Sequence, residues 1–223
     1  MMTATDSDKA GLLEAIAASR QDGTYEDGVL DRIHAGIERL RPHTAIPAPA
    51  LEQHRVSGPW RTLFAQFQVR HTAGKPIEHD SDLSIQTFKA FPKQPLRVRV
   101  LDQEIHHEGC HYNNVVRVMA PDGRTEGHVI VWGRYRVEAA QPQRYFVEFY
   151  QAELRALAGE DAGTLRLAFG LAEDAPLVRP LKPPRLHSDI VYCDEELRIN
   201  VGSLGGVYVL RRVDRPPVSV SVS

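Results

Sequence analysis

The chain is poor in most of the features that announce a function. Two cysteines, Cys110 and Cys193, in 223 residues cannot build a Cys-x-x-Cys metal site or a disulfide framework, and they read as buried thiols in a reducing compartment. No run approaches the roughly eighteen consecutive apolar residues of a membrane-spanning helix. The opening Met1–Lys9 lacks the cationic and apolar blocks of a secretory signal, so a soluble, cytoplasmic protein without integral membrane contact is expected. Charge of one sign is missing too: 27 basic side chains against 29 acidic ones leave a net −2, which exerts no pull toward nucleic acid or an anionic bilayer. Gly-x-Ser-x-Gly, a P-loop and Gly-x-Gly-x-x-Gly are all absent, which removes the common hydrolase and nucleotide signatures and implies no cofactor. Gly202-Ser203-Leu204-Gly205-Gly206 is rich in glycine, but it joins two strands and opens no helix, so it reads as a turn.

What is present changes character once along the chain. Leu12, Leu13, Ile16 and Ala17 recur at helical spacing in 7–20, and Leu30, Ile33, Ile37 and Leu40 do so in 25–41, which predicts two short amphipathic helices separated by Asp22-Gly23. Pro42, Pro47 and Pro49 keep 42–57 from continuing the second helix. From Gly58 to Leu154 the chain runs in short segments rich in Val, Ile, Phe and Tyr. Gly74-Lys75-Pro76, Phe91-Pro92-Lys93, Pro121-Asp122-Gly123 and Gln141-Pro142 punctuate them, as in an antiparallel meander. Residues 152–170 are ambiguous and compatible with a short helix, 176–184 reads as a surface crossing, and two last strands are predicted near 188–200 and 206–213. An open meander of this length would leave two unpaired edges, which points to a closed barrel or a sandwich over 58–213, and what sits at its two ends favours the barrel. Residues 1–57 are then helices and a proline-containing linker packed on it, and 214–223 a frayed tail.

Gly58-Pro59-Trp60 stands where lipocalin-type barrels place a glycine to enter the barrel floor and an indole to plug it. In such barrels an arginine from a late strand lies across the ring, and Arg198 and Arg211 are the candidates here. At the other end, Val191-Tyr192-Cys193-Asp194-Glu195-Glu196-Leu197-Arg198-Ile199-Asn200-Val201-Gly202 is followed by Gly205-Gly206-Val207-Tyr208-Val209-Leu210-Arg211. This run resembles the closing hairpin of the plastid-lipid-associated protein (fibrillin) family, and Val56-Ser57-Gly58-Pro59-Trp60-Arg61-Thr62-Leu63-Phe64 resembles that family's opening strand. The likeness is carried by the two ends of 25–213. It implies a lipocalin-like barrel, no catalytic residues, and binding or sequestration of isoprenoid-type lipids. The overall expectation is therefore a mainly β chain: one antiparallel lipocalin-like β-barrel preceded by two short N-terminal α-helices. Independently of the likeness, alternation along 194–198 puts Asp194, Glu196 and Arg198 on one face, where they can form a polar latch of structural purpose.

One stretch looks chemical: Glu104-Ile105-His106-His107-Glu108-Gly109-Cys110-His111-Tyr112-Asn113. In a strand, residues two apart on one face lie about 6.6 Å from each other and residues four apart about 13 Å. His107 and His111 therefore cannot share an ion without a bulge, and no metal is expected. If Pro121-Asp122-Gly123-Arg124 is a hairpin loop and Ala120 pairs with Thr125, His128 falls opposite Arg117 and His111 opposite Arg134. That register sorts the hairpin into a mostly apolar face and a mixed one. The apolar face is the default lumen, with Tyr112, Asn114, Val116, Val129, Val131, Gly133 and Tyr135 as the ligand-contacting set, and with Gly127 and Gly133 leaving room for a small lipophilic guest. Were the mixed face inward, His111, Asn113 and Arg134, with Trp132 and neighbouring Tyr112, would instead offer acid–base groups suited to a small cyclase or isomerase. A third possibility, a module that docks on a partner through its N-terminal helices, requires an apolar patch left open on 12–40.

Overall fold

The computed structural model describes residues 3–19, 25–66, 78–182 and 185–218. Helices α1 (Ala4–Ala17) and α2 (Asp27–Leu40) come first. Thr3 starts α1 with a capping box: its hydroxyl accepts from Asp6 N at 3.1 Å, and the Asp6 carboxylate accepts from Thr3 N at 2.9 Å. A 3-10 turn (Arg41–His43) and a short helix α3 (Gln53–Val56) then lead to β1 (Gly58–Gln66). The remaining elements are β2 (His79–Asp82), α4 (Leu83–Gln86), β3 (Pro95–His106), β4 (His111–Met119), β5 (Glu126–Val137), β6 (Arg144–Ala156), α5 (Ala162–Ala168), β7 (Val178–Pro180), β8 (Leu186–Cys193), β9 (Leu197–Gly202) and β10 (Val207–Arg212). The Asp22-Gly23 and Gly74-Lys75-Pro76 breaks lie outside the described residues.

Eight strands close into an antiparallel barrel in the order β1-β10-β9-β8-β6-β5-β4-β3, and β3 pairs back onto β1 to complete the ring. Trp60 sits opposite Arg212 on one side and Gln103 on the other. The assumed hairpin register holds: Ala120 N donates to Thr125 O at 2.8 Å, His111 pairs with Arg134, and Arg117 with His128. Strand β8 pairs with β6 only over Arg144–Val147; further along, β6 takes the short β7 as its neighbour.

Three departures from the sequence reading have local causes. The single strand expected over 188–200 is broken into β8 and β9, because the Asp194 carboxylate accepts from Glu196 N (2.7 Å) and Leu197 N (2.6 Å) and folds 194–196 into a turn. Cys110, expected to be buried, is exposed at a turn with φ 51°, whereas Cys193 is buried and its thiol is pushed up to about 12 by that burial. Residues 214–218, expected to fray, are pinned: Arg215 pairs with Asp102 (2.9 Å) and Glu104 (2.7 Å), and Val218 N donates to the Glu104 carboxylate. The rest of the tail, 219–223, lies outside the described residues.

The helices cover the outside of the barrel. Leu12, Ile16, Ile33, Ile37 and Leu40 are buried against Phe64, Tyr192, Leu197, Ile199 and Val209, so the faces of 12–40 that a docking module would leave open are already occupied. Lys9 fastens α1 through Asp194 and Glu196, both at 2.9 Å. Among the described residues no helix is long and apolar enough to cross a membrane.

Candidate functional site

The two ends of the barrel are closed by different means. At the floor, Gly58 enters β1 with φ 119°, a backbone region that L side chains rarely adopt, and Trp60 follows, fully buried. The indole donates to Val56 O at 2.9 Å and lies under two guanidinium groups, those of Arg198 (4.9 Å to the ring centroid) and Arg212 (4.3 Å). Arg212 also donates to three carbonyls: Glu195 O at 2.9 Å, Ser57 O at 2.7 Å, and Arg55 O. Arg198 was foreseen at this ring, but Arg211 was not the right partner. It pairs with Arg61 and is exposed, because the inward positions of β10 are Tyr208, Leu210 and Arg212. Ile46, Ala50 and Val56 of the linker complete the floor, and the hydroxyls of Tyr145 and Tyr135 tie it down by donating to Pro49 O (2.8 Å) and Gln53 Oε1 (2.9 Å).

At the mouth the closure is apolar. Leu83 opens α4 and Phe91 follows that helix, while Leu165 lies in α5 and Phe169 just after it; together they pack against Val98, Val116, Val118, Val129 and Leu154 of the wall. Phe88, just after α4, stacks on Phe149 at 5.4 Å while remaining more than a third exposed. Phe88 and Lys89 both hold positive φ, 50° and 64°, a strained arrangement for two successive L residues. Ile85 in α4 and Leu167 in α5 are exposed apolar groups at this end, and Val178 of β7 is exposed as well.

Between floor and mouth the inward side chains are polar. Gln103 Oε1 accepts from Arg198 Nη2 at 2.8 Å, from Asn200 Nδ2 at 3.3 Å and from the Tyr112 hydroxyl at 3.1 Å. Ser188 Oγ meets Tyr112 Oη at 3.2 Å and Asn200 Nδ2 at 3.1 Å. Five buried atoms of this band have no hydrogen-bond partner among the described residues: Arg198 Nε and Nη1, Asn114 Oδ1, Asn200 Oδ1 and Thr62 Oγ1. Arg198 is completely buried, no carboxylate pairs with it among the described residues, and burial pulls its pKa below the ordinary range. Asn114 and Tyr208 point inward yet keep accessible surface, and burial still raises the Tyr208 hydroxyl well above its usual value, so the interior is not packed solid at this level.

The apolar hairpin face is thus the inner one. Tyr112, Val131 and Tyr135 fall in the floor cluster, Val116 and Val129 in the mouth cluster, and Asn114 in the polar band between them. The glycines do not provide space as expected. A Cβ on Gly133 would lie 2.4 Å from Tyr112 O and 2.8 Å from the Phe149 ring, and one on Gly127 would lie 2.9 Å from Leu165. Phe149 and Leu165 fill those positions, and the Tyr135 ring is engaged with Tyr145 at 4.8 Å. The Asp194–Arg198 latch does not form either, since the turn at 194–196 breaks the alternation; Asp194 holds Lys9, and Arg198 faces the lumen.

The mixed face looks outward. His106, His107, His111, Asn113 and Trp132 line an external cleft of about 460 Å³ whose rim is the tail residues Pro217 and Val218. His111 Nδ1 is buried with no close hydrogen-bond partner among the described residues, and desolvation, aided by His106 and Arg134 and opposed by the Gly133 backbone, lowers its pKa. Arg134, however, lies over Tyr150 at 5.4 Å, and the Asn113 side chain accepts from Gly133 N at 3.2 Å. The enclosed His111/Asn113/Arg134 acid–base pocket of the enzyme reading is therefore not assembled in the interior. Among the described residues no three metal-ligating side chains converge.

No protein-family model matches the chain. No curated protein matches it in sequence either. The interior itself therefore supplies the functional reading. Thr62, Gln103, Ser188 and Asn200, which form its polar band with Arg198, escaped the sequence reading because the four come from four different strands, β1, β3, β8 and β9. The one available signal was parity: once Leu197 and Ile199 are covered by helices, Arg198 and Asn200 must point inward.

Proposed function

We propose that this protein is a lipocalin-like carrier that binds or sequesters a small lipophilic molecule inside the barrel. The observation that carries the reading is the asymmetry of closure: one end sealed by hydrogen-bonded groups, the other by apolar side chains on a strained segment rimmed with exposed apolar residues. A guest entering at the mouth exchanges one apolar surface for another, at little cost in unpaired polar groups. Burial of apolar area at about 25 cal/mol per Å² then supplies the affinity. The Trp60–Arg212 arrangement supports the lipocalin-like assignment, and the likeness of the closing hairpin to plastid-lipid-associated proteins supports an isoprenoid-like or similarly elongated guest.

The test is uptake of the uncharged fluorescent probe N-phenyl-1-naphthylamine by the purified protein, with organic extraction and mass spectrometry run beside it. Saturable uptake, made faster by Phe88→Ala, is the expected result. A protein that takes up no probe, with or without Phe88→Ala, and yields no extracted lipid is not a carrier.

A further inference from the structure

We infer that the polar band is the head-group site of the barrel and that the preferred guest carries a carboxylate, held by Arg198. The inference rests on the carrier reading and names the class of ligand for it. A guanidinium removed from water is costly unless its N–H groups and its charge are both answered. Here the Gln103 carbonyl answers one nitrogen and the Trp60 ring answers part of the charge, while Nε and Nη1 donate to nothing among the described residues. The remaining groups around Arg198 are neutral hydroxyls, amides and a thiol whose burial keeps it protonated. Arg212, the second cation at the indole, already spends its three nitrogens on floor carbonyls. The interior thus holds an uncompensated positive charge with two free donors.

A carboxylate answers both needs, because its two oxygens accept from a guanidinium in charge-assisted bonds and its single negative charge matches the single unpaired cation. A dianionic head would leave one charge buried and unpaired, and a purely apolar guest would leave the donors as they are. Asn114 Oδ1, Asn200 Oδ1 and Thr62 Oγ1 add unpaired acceptors in the same band, so a hydroxyl near the carboxylate would also find a partner. The chain of such a guest extends toward the mouth, along Val116 and Val129, where the wall is apolar.

The experiment compares decanoate with decan-1-ol, equal in chain and different in head, by displacement of N-phenyl-1-naphthylamine at pH 7.5. The expected result is tighter binding of decanoate by about 10- to 100-fold, the ratio that corresponds to a charged hydrogen bond of roughly 1.5–3 kcal/mol. In Arg198→Met, which keeps the length of the stem, that preference should vanish while decan-1-ol binding persists. Equal binding of acid and alcohol by the wild-type protein would overturn the carboxylate inference and leave the carrier reading standing, and so would a preference that survives in Arg198→Met. Should the wild-type protein bind neither the probe nor either decyl compound, both would fall together. The acid-to-alcohol ratio in the wild-type protein decides the matter even if Arg198→Met does not fold.

Discussion

Floor and mouth close the same barrel with opposite chemistry. The floor spends polar groups: the Trp60 indole, three Arg212 donors and two tyrosine hydroxyls all end on acceptors of the linker or of the 194–196 turn, so opening it would strand each of them. The mouth meets the wall by apolar contact, and its hydrogen bonds, such as Thr87 Oγ1 to Leu83 O and Arg166 Nε to Ala175 O, stay within its own segments. Helices α4 and α5 and the residues just after them seal it by Leu83, Phe91, Leu165 and Phe169, and the chain at Phe88 and Lys89 holds an unfavourable backbone there. Local opening is drawn from the least stable part of a protein, and this difference assigns it to the mouth.

Substitution sharpens that contrast. Trp60→Ala should cost about 3–5 kcal/mol, the range for truncating a buried aromatic side chain, as read from chemical denaturation. A loss below about 1 kcal/mol would mean that the indole does not plug the floor. The two arginines on that indole should then part company. Arg212→Met strands carbonyl acceptors and should cost about 2 kcal/mol, whereas Arg198→Met removes an unpaired buried charge and should leave stability unchanged or raise it by about 1 kcal/mol or more. Equal losses at both positions would erase the distinction between a satisfied arginine and an unsatisfied one.

A smaller effect is expected where α1 is fastened near the floor. Burial pushes the Asp194 carboxyl upward, but the Lys9 ammonium, two backbone amides and the Tyr192 hydroxyl outweigh it, so its pKa falls below the usual carboxylate range. A folded value below the unfolded one makes the stabilisation complete above about pH 4 and lost as the pH drops through the folded value. Asp194→Asn should therefore cost about 0.5–1 kcal/mol at pH 7. The difference from wild type should disappear in strong acid, and a difference that grew with acidity would contradict this. Smallest of all, Lys89→Gly relieves positive φ at an exposed position of the mouth and should gain about 0.5 kcal/mol. Faster uptake of the uncharged probe without that gain would locate the strain elsewhere in the segment.

How far the sequence could be read followed from where local chemistry decides. The β4–β5 register was legible because Pro121-Asp122-Gly123 fixes the turn: Asp122 accepts from Arg124 N and Thr125 N, and the pairing then propagates without a break from Met119 to Asn114. Its inner face was legible for the same reason. The choice between Arg211 and Arg212 was not, because α1 and α2 cover the outside of β10, so Val209 and Leu210 are both apolar and alternation carries no signal. Bulges between Thr62 and Phe64 and between Ile190 and Tyr192 change the parity again within single strands. The polar band joins residues of five strands, and no pattern within one strand announces it.

The pairing of β1 with β10 has a consequence for synthesis. The first barrel strand to leave the ribosome finds one of its two neighbours in β3, soon afterwards, but the other only when the last strand has emerged. Until then the ring stands open, with β1 and β9 each presenting an unpaired edge to whatever else is nearby. Arg212 arrives in that final strand and carries the bonds that seal the floor, so a chain stalled or cut just before it would keep nearly all of the apolar core and lack the residue that closes it. Truncation within β10 should therefore be felt as aggregation during expression, before any loss of binding could be measured.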